Sequence, residues 1–167
     1  MVTPDKDFAQ LVNDSVFIYR PVFGGGYETW GVKEVLEKFE ISKTSQVIDF
    51  LAMKGDSIDN IPGLPGVGDK TAKKFINEYG SIENLLNNTD KLKGKLKEKI
   101  ELNKELGILS KKLATIITDV PISYDINNFT LSPKNLDETK KIFDELEFRR
   151  LSSSLNSIFT NSNNIIE

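Results

Sequence analysis

The chain of 167 residues contains no cysteine and no histidine. Those two absences exclude disulfides, thiolate nucleophiles, zinc sites of the Cys/His kind, Ser-His-Asp triads and histidine acid–base catalysis. Any chemistry the chain performs falls to carboxylates, lysines, tyrosines, hydroxyls or a hard metal bound through oxygen. Long apolar runs are missing too. No segment can span a bilayer, and the opening MVTPDKDF lacks the features of a signal peptide, so a cytoplasmic setting without a membrane partner is the expectation. Hydrophobic residues at 38% and charged residues at 28% are those of a globular chain. Its length suits one domain with a real core, or part of a larger one.

Charge is unevenly distributed. Residues 1–69 carry 6 basic and 11 acidic side chains, residues 70–112 carry 11 and 6, and residues 113–167 carry 5 and 8, within a net charge of −3. An acidic segment beside a basic one suits carboxylates for a metal next to a surface for a polyanion. On charge alone, two solvated helical faces of opposite sign account for it as well.

Along the chain, Val2-Thr3 is a stub of β-type residues that feeds a helix carrying Phe8, Leu11 and Val12. Val16–Tyr19 and Tyr27–Trp30 read as a hairpin turned by Gly24-Gly25-Gly26. No helix-opening GK[ST] follows that triplet, so it is a hairpin tip rather than a phosphate loop. Val32, Val35, Leu36 and Phe39 share one helical face. Ser42 or Thr44 is placed to cap the next helix, which buries Val47, Ile48, Leu51 and Ala52. A loop rich in Gly and Pro spans Gly55–Gly68. Helices follow over Lys70–Tyr79, stopped by Gly80, and from Ser81. Lys91–Leu109 is a long lysine-rich helical stretch interrupted at Gly107. Ala114–Thr118 reads as a strand, Pro133 opens a final helical region through Phe143 and Leu146 to Leu155, and the tail Asn161–Glu167 is polar and frayed.

The strongest local signal is Leu64-Pro65-Gly66-Val67-Gly68-Asp69-Lys70-Thr71-Ala72-Lys73-Lys74-Phe75. Gly66 and Gly68 lack Cβ atoms, so the backbone turns tightly and approaches another molecule closely. The helix behind them offers unpaired N–H groups and the positive end of its dipole. This is a cradle for a phosphate oxygen, with Lys70, Lys73 and Lys74 adding charge; such a contact positions without reading sequence. Ala72, Phe75 and the stop at Tyr79-Gly80-Ser81 fit a DNA-binding helix-hairpin-helix. Upstream, a helical turn would put Asp56 and Asp59 on one face, and an extended segment would do the same for Asp5 and Asp7. Paired carboxylates hold Mg²⁺ or Mn²⁺, although each pair alone is also common at turns and caps. Lys91, Lys95 and Lys99 share a face that serves equally as a solvated surface partnered by Glu98 and Glu101 or as a second phosphate strip. Trp30, Phe39 and Phe75 read as core; Tyr19 and Tyr27 are left open between core and base-stacking roles.

The run MKGDSIDNIPGLPGVGDKTA resembles the signature of the bacterial 5′ nucleases. It is closest to the 5′–3′ exonuclease domain of bacterial DNA polymerase I and more distantly similar to flap endonucleases. Thr3-Pro4-Asp5-Lys6-Asp7-Phe8-Ala9-Gln10-Leu11 resembles the family's strand-end DKDxxQL motif. Asn103-Lys104-Glu105, Leu109-Ser110, Leu113 to Pro121 and Leu146 to Leu151 resemble its later motifs, so the likeness runs from residue 2 to about 151. It implies that Asp5, Asp7, Asp56 and Asp59 are ligands of catalytic Mg²⁺ or Mn²⁺. It implies that Gly66, Gly68, Lys70, Thr71, Lys73 and Lys74 grip double-stranded DNA bearing a 5′ end or flap. In that family a monovalent cation such as K⁺ often sits at the hairpin.

The family's domain begins with further strands, more acidic ligands and an arch, none of which precedes Val2. The expectation is therefore an α/β, mostly helical fragment of a 5′ nuclease (PIN-like) domain with a helix-hairpin-helix (helix–three-turn–helix) subdomain. It divides into a remnant of the nuclease core (1–54), the DNA-binding region (55–112), closing strand and helices (113–151) and a tail (152–167). The N-terminal half and the polymerase portion of a parent chain would be its partners. Two other readings stand beside this one. A non-catalytic helix-hairpin-helix module would use the aspartates only as caps and loop residues. A helix-hairpin-helix glycosylase leaves Asp5-Lys6-Asp7 without a role.

Overall fold

A computed structural model describes the backbone of residues 1–130 and 135–161 and the side chains of these as far as residue 155. The chain forms two compact units, Met1–Asp119 and the residues from Val120 onward.

In the first unit, β1 (Ile18–Pro21) and β2 (Tyr27–Trp30) form an antiparallel hairpin with Ile18 opposite Trp30 and Arg20 opposite Glu28. Gly24, Gly25 and Gly26 have φ of +92°, +97° and +88°, which is why three glycines stand at the tip. Val2 makes a parallel bridge to Tyr19, with Thr3 N–H donating to the Tyr19 carbonyl at 3.1 Å and Tyr19 N–H to that of Met1 at 2.7 Å. The strand stub is thus real. The helix it feeds is a 3-10 turn, Lys6–Leu11, rather than an α-helix.

Six α-helices follow in this unit: α1 (Val32–Phe39), α2 (Gln46–Lys54), α3 (Asp69–Tyr79), α4 (Ile82–Asn87), α5 (Gly94–Leu102) and α6 (Lys104–Ala114). The most apolar of them, α2, packs against α3, α4, α6 and the 3-10 turn. Val47, Leu51, Ala52 and Met53 are fully buried there. Trp30, Phe39 and Phe75 lie in the same core, as the sequence indicates, while Tyr19 and Tyr27 stack on each other at 4.6 Å on an exposed face.

Several expectations are corrected. The residue capping α2 is Ser45, without a side-chain bond, and neither Ser42 nor Thr44 serves. Instead Gln46 Oε1 accepts from Ser42 N–H at 2.9 Å and Lys43 N–H at 3.2 Å, so an amide from inside the helix satisfies the entry. The lysine-rich stretch breaks at Asn103, whose side chain donates to the Lys99 carbonyl at 2.8 Å and closes α5. Gly107 lies inside α6 and interrupts nothing. A Cβ there would meet Leu64 Cδ2 at 2.8 Å and Ile82 Cδ1 at 3.2 Å, so a larger residue would need both side chains to shift.

Residues 114–118 form no strand; α6 continues to Ala114 and an extended segment follows. Gln10 serves that segment as a neighbour would. Its Nε2 donates to the Ala114 carbonyl at 3.0 Å and its Oε1 accepts from Ile116 N–H at 3.0 Å.

In the second unit, α7 (Leu136–Glu145) and α8 (Arg149–Asn161) pack together. The helical region expected here consists of these two helices, separated at Leu146–Phe148, where Glu147 takes φ +54°. Asn135 caps α7, its Oδ1 accepting from Glu138 N–H at 3.0 Å. The predicted helix start at Pro133 and the tail beyond Asn161 lie outside the described residues.

Gln10→Ala removes both bonds to the segment after α6. We expect a loss of about 1–2 kcal/mol in urea unfolding and faster hydrogen exchange at the Ile116 amide. An unchanged exchange rate there would show that Gln10 does not hold the segment.

Candidate metal and nucleic-acid site

Asp5 and Asp7 sit at the start of the 3-10 turn. Asp5 caps it, accepting from Asp7 N–H at 2.9 Å, and is exposed. Asp7 turns inward, and its side chain is 14% exposed. Asp56 and Asp59 do not share a helical turn. Asp56 and Ile61 bridge antiparallel, N–H to carbonyl at 2.9 and 2.7 Å, closing a tight loop over Ser57–Asn60. Asp56 Oδ1 accepts from Ile58 N–H at 2.9 Å, an Asx-type bond that fits a turn better than a helix. Asn60 takes φ +56° to complete it. Asp59 is exposed and lines a cavity of about 320 Å³ with Asp5, Lys6 and Arg20.

Lys6 joins the two motifs. Its ammonium donates to Asp56 Oδ2 and lies 3.4 Å from Asp7 Oδ1. The two carboxylates respond in opposite directions. The hydrogen bond from Lys6 holds the Asp56 carboxyl below its usual range, against a burial cost and with help from the loop amides. Burial pushes the Asp7 carboxyl up, the more distant Lys6 offsets this only in part, and the charges of Asp5 and Asp59 add to it. Asp7 Oδ1 is buried without a hydrogen-bond partner among the described residues. Oxygen-only donors with an unsatisfied buried carboxylate oxygen match a hard divalent cation in chemistry. They do not match it in number, because among the described residues no three acidic groups converge on one point. The fit is that of a partial ligand set, with Asp7 and Asp56 at its centre.

The glycine hairpin is built as its sequence demands. Val67 N–H donates to the Leu64 carbonyl at 3.0 Å, and Pro65-Gly66 occupy the corners, with Gly66 at φ +89° as a type II turn requires. Gly68 precedes α3 with φ −96°, open to any residue, and a Cβ there would meet nothing within 4 Å. Neither backbone strain nor packing explains the glycine at 68. Behind the turn stands α5, so that Lys99 Nζ lies 3.8 Å from where a Gly66 Cβ would be.

The lysines differ in their engagements. Lys70 in the first turn of α3 and Lys74 near its middle are exposed, with Thr71 half-buried beside Lys70. Lys73 is bound by Glu40 at 2.9 Å and Asp69 at 3.1 Å. Lys54 reaches Asp69 at 3.3 Å. Burial acts to raise the Asp69 carboxyl, and the bonds from Lys73 and Lys54 outweigh it and hold it low. The acid at the helix start is therefore neutralised, which keeps the dipole's positive end available. A trough of about 570 Å³ lined by Lys54, Asp56, Ile58, Pro62 and Gly68 connects this helix start to the acidic loop.

Sequence reasoning misses what holds these two parts together. Gly55 and Gly63 pack back to back: a Cβ on Gly55 would lie 2.7 Å from the Ile61 carbonyl oxygen, and one on Gly63 only 2.6 Å from Gly55 N. Both have positive φ, 76° and 69°. Gly63 N–H donates at 3.0 Å to Ser110 Oγ, which is fully buried in α6 and donates in turn to the Leu106 carbonyl at 2.7 Å. Lys6 and Lys54 escape as well, since no local pattern reveals ion pairs from Lys6 to Asp56 and from Lys54 to Asp69.

Comparison with known proteins follows the same lines. Residues 42–137 match the family described as 5′-3′ exonuclease, C-terminal SAM fold. DNA polymerase I of Mycobacterium tuberculosis is 38% identical over 93% of this chain, and that of Lactococcus lactis 40% identical over 93%. The chain spans 17–18% of the length of these relatives. Among solved structures, T5 5′-exonuclease with bound divalent metal ions (zinc) superposes with a TM-score of 0.58 at 24% identity, over 68% of this chain and 41% of that one. The catalytic core of Rad2 in complex with a DNA substrate gives 0.55 at 18% identity, over 86% and 50%. These two likenesses bear out the expected mostly helical 5′ nuclease fold.

Because its folded-state value is raised, the Asp7 carboxylate opposes folding above that value. The penalty fades as pH falls towards the unfolded value of about 3.9. Asp7→Asn should therefore raise the melting temperature at pH 7 without added metal, and the gain should shrink steadily towards pH 4. A gain independent of pH would show that ionisation is not its source.

Proposed function

The chain belongs to the 5′-3′ exonuclease family with the C-terminal SAM fold, and on that premise we propose that it grips double-stranded DNA near a 5′ end or flap and contributes carboxylates to a divalent-metal site for phosphodiester hydrolysis. The observation that carries this is Gly68. It is a glycine that nothing within the protein requires, at the start of a helix whose first acid is neutralised, joined by one trough to Asp56. A phosphate oxygen fits a surface where a Cβ would stand in its way.

Residues 46–79 then act as a helix-hairpin-helix. First-turn amides of α3 donate to phosphate oxygens, and Lys70 and Lys74 add mobile charge. Thr71 is within the same turn, and Lys73 acts indirectly by neutralising Asp69. Lys99, standing behind Gly66, extends the cationic surface. K⁺ at the hairpin carbonyls is the monovalent cation such a turn would take. Asp7 and Asp56, with Asp5 and Asp59 beside them, would hold Mg²⁺ or Mn²⁺; when bound, such an ion activates water and offsets charge on the phosphate. The remaining ligands come from outside these 167 residues, from further parts of a polymerase-type parent chain in the cytoplasm. One observation favours a second reading, a DNA-binding module without a catalytic metal: no three acids converge among the described residues. Mn²⁺ calorimetry on the wild type and on Asp56→Asn separates the two, since only a ligand set loses its heat of binding with Asp56.

Lys70→Ala should weaken binding to every duplex about equally and flatten the slope of log K against log salt by roughly 1. If affinity and slope both stayed as in the wild type, the hairpin would not be the phosphate site. The chain alone should not cut a labelled 5′-flap substrate in Mg²⁺ or Mn²⁺, because two inward carboxylates fall short of a two-ion site. Metal-dependent cleavage lost in Asp56→Asn would overturn that ligand count.

A further inference from the structure

We propose that Lys6 is the internal counter-cation of the Asp7–Asp56 pair and that it competes with a divalent cation for those two carboxylates. The inference deepens the metal-site reading above and rests on it. Lys6 lies between two motif aspartates in sequence and reaches the third across 50 residues. The carboxylates it meets are 14% and 9% exposed, while its own side chain is 37% exposed. Two largely desolvated carboxylates repel unless a cation stands between them. Here that cation is an ammonium. A divalent ion bound to the same oxygens at about 2.0–2.2 Å would need the same space, and its charge would expel the ammonium.

Two details favour an exchange over a permanent pair. Lys6 serves its partners unequally: it bonds Asp56 closely and leaves Asp7 Oδ1 buried without a hydrogen bond. A stronger Lewis acid can satisfy both. Lys6 also has somewhere to go. It lines the 320 Å³ cavity whose other walls include Asp5 and Asp59, so rotation about its stem carries the ammonium from one acid pair to the other without moving the backbone. Metal binding becomes a swap of cations: Lys6 stabilises the metal-free fold and lowers the affinity for metal.

The test follows free Mn²⁺ by electron paramagnetic resonance as it is titrated into the 167-residue chain. The proteins are the wild type, Lys6→Met, Lys6→Gln, Lys6→Arg and Asp56→Asn. Thermal unfolding is recorded with EDTA and with saturating Mn²⁺. Lys6→Met and Lys6→Gln should bind Mn²⁺ about tenfold more tightly than the wild type, a difference of about 1.4 kcal/mol, and Lys6→Arg no more tightly. Both neutral variants should melt below the wild type in EDTA, and Mn²⁺ should close the gap. Equal or weaker Mn²⁺ binding by both neutral variants, with binding still lost in Asp56→Asn, would overturn the competition and leave the metal reading standing. No Mn²⁺ binding by any of the five would overturn both.

Discussion

Two glycine backbones pressed together set the geometry on which the candidate site depends. Gly55 ends α2 and Gly63 begins the hairpin, and each occupies the space where the other's Cβ would stand. The contact pinches the chain into a closed loop carrying Asp56 and Asp59. Beyond the pinch the chain runs directly into Leu64–Gly68 and α3. Ser110 locks the crossing to α6 through one buried hydroxyl that both accepts and donates. The carboxylate loop and the glycine hairpin are therefore two sides of one backbone crossing. Their separation is fixed by main-chain contacts, which do not flex as long side chains do.

The same economy governs charge. Three lysines are each shared between two acids: Lys6 by Asp7 and Asp56, Lys73 by Asp69 and Glu40, Lys111 by Asp49 and Glu83. Each triad joins segments distant in sequence. Lys111 shows the balance: burial acts to lower its pKa, and bonds to Asp49 and Glu83 overcome this and raise it. Asp49 also accepts from Ile82 N–H at 3.0 Å, so this triad caps α4 from α2. Removing the cation from such a partly screened triad leaves carboxylates without their counter-charge, which costs more than the formed pair contributes.

Much of this was legible in the sequence where one local force dominates. The helices α1, α3 and α4 follow apolar spacing, a glycine stop and a serine cap, and Pro65-Gly66 dictates its own turn. Ala114–Thr118 misleads because β-propensity describes a fit to a sheet that these residues do not meet, and Gln10 takes the place of a partner strand. Gly107 misleads in the other direction: its small size answers to Leu64 across the core rather than to its helix. The aspartates stand out by spacing, but their local geometry does not. Asp56 bridges a turn, and Lys6, in sequence only the middle of a motif, joins the two halves. Such links depend on tertiary distance, which no window of sequence contains.

The single tryptophan acquires a use from where it sits. Trp30 is 6% exposed at the base of the hairpin, and the Arg20 guanidinium lies 4.6 Å from its ring centre. Arg20 is also a wall of the cavity that holds Asp5, Lys6 and Asp59. An indole's emission shifts with the electric field of a cation over its face. The protein thus carries an optical reporter one residue removed from its acidic cavity, and a rearrangement of charge there is readable as a colour change in unlabelled protein.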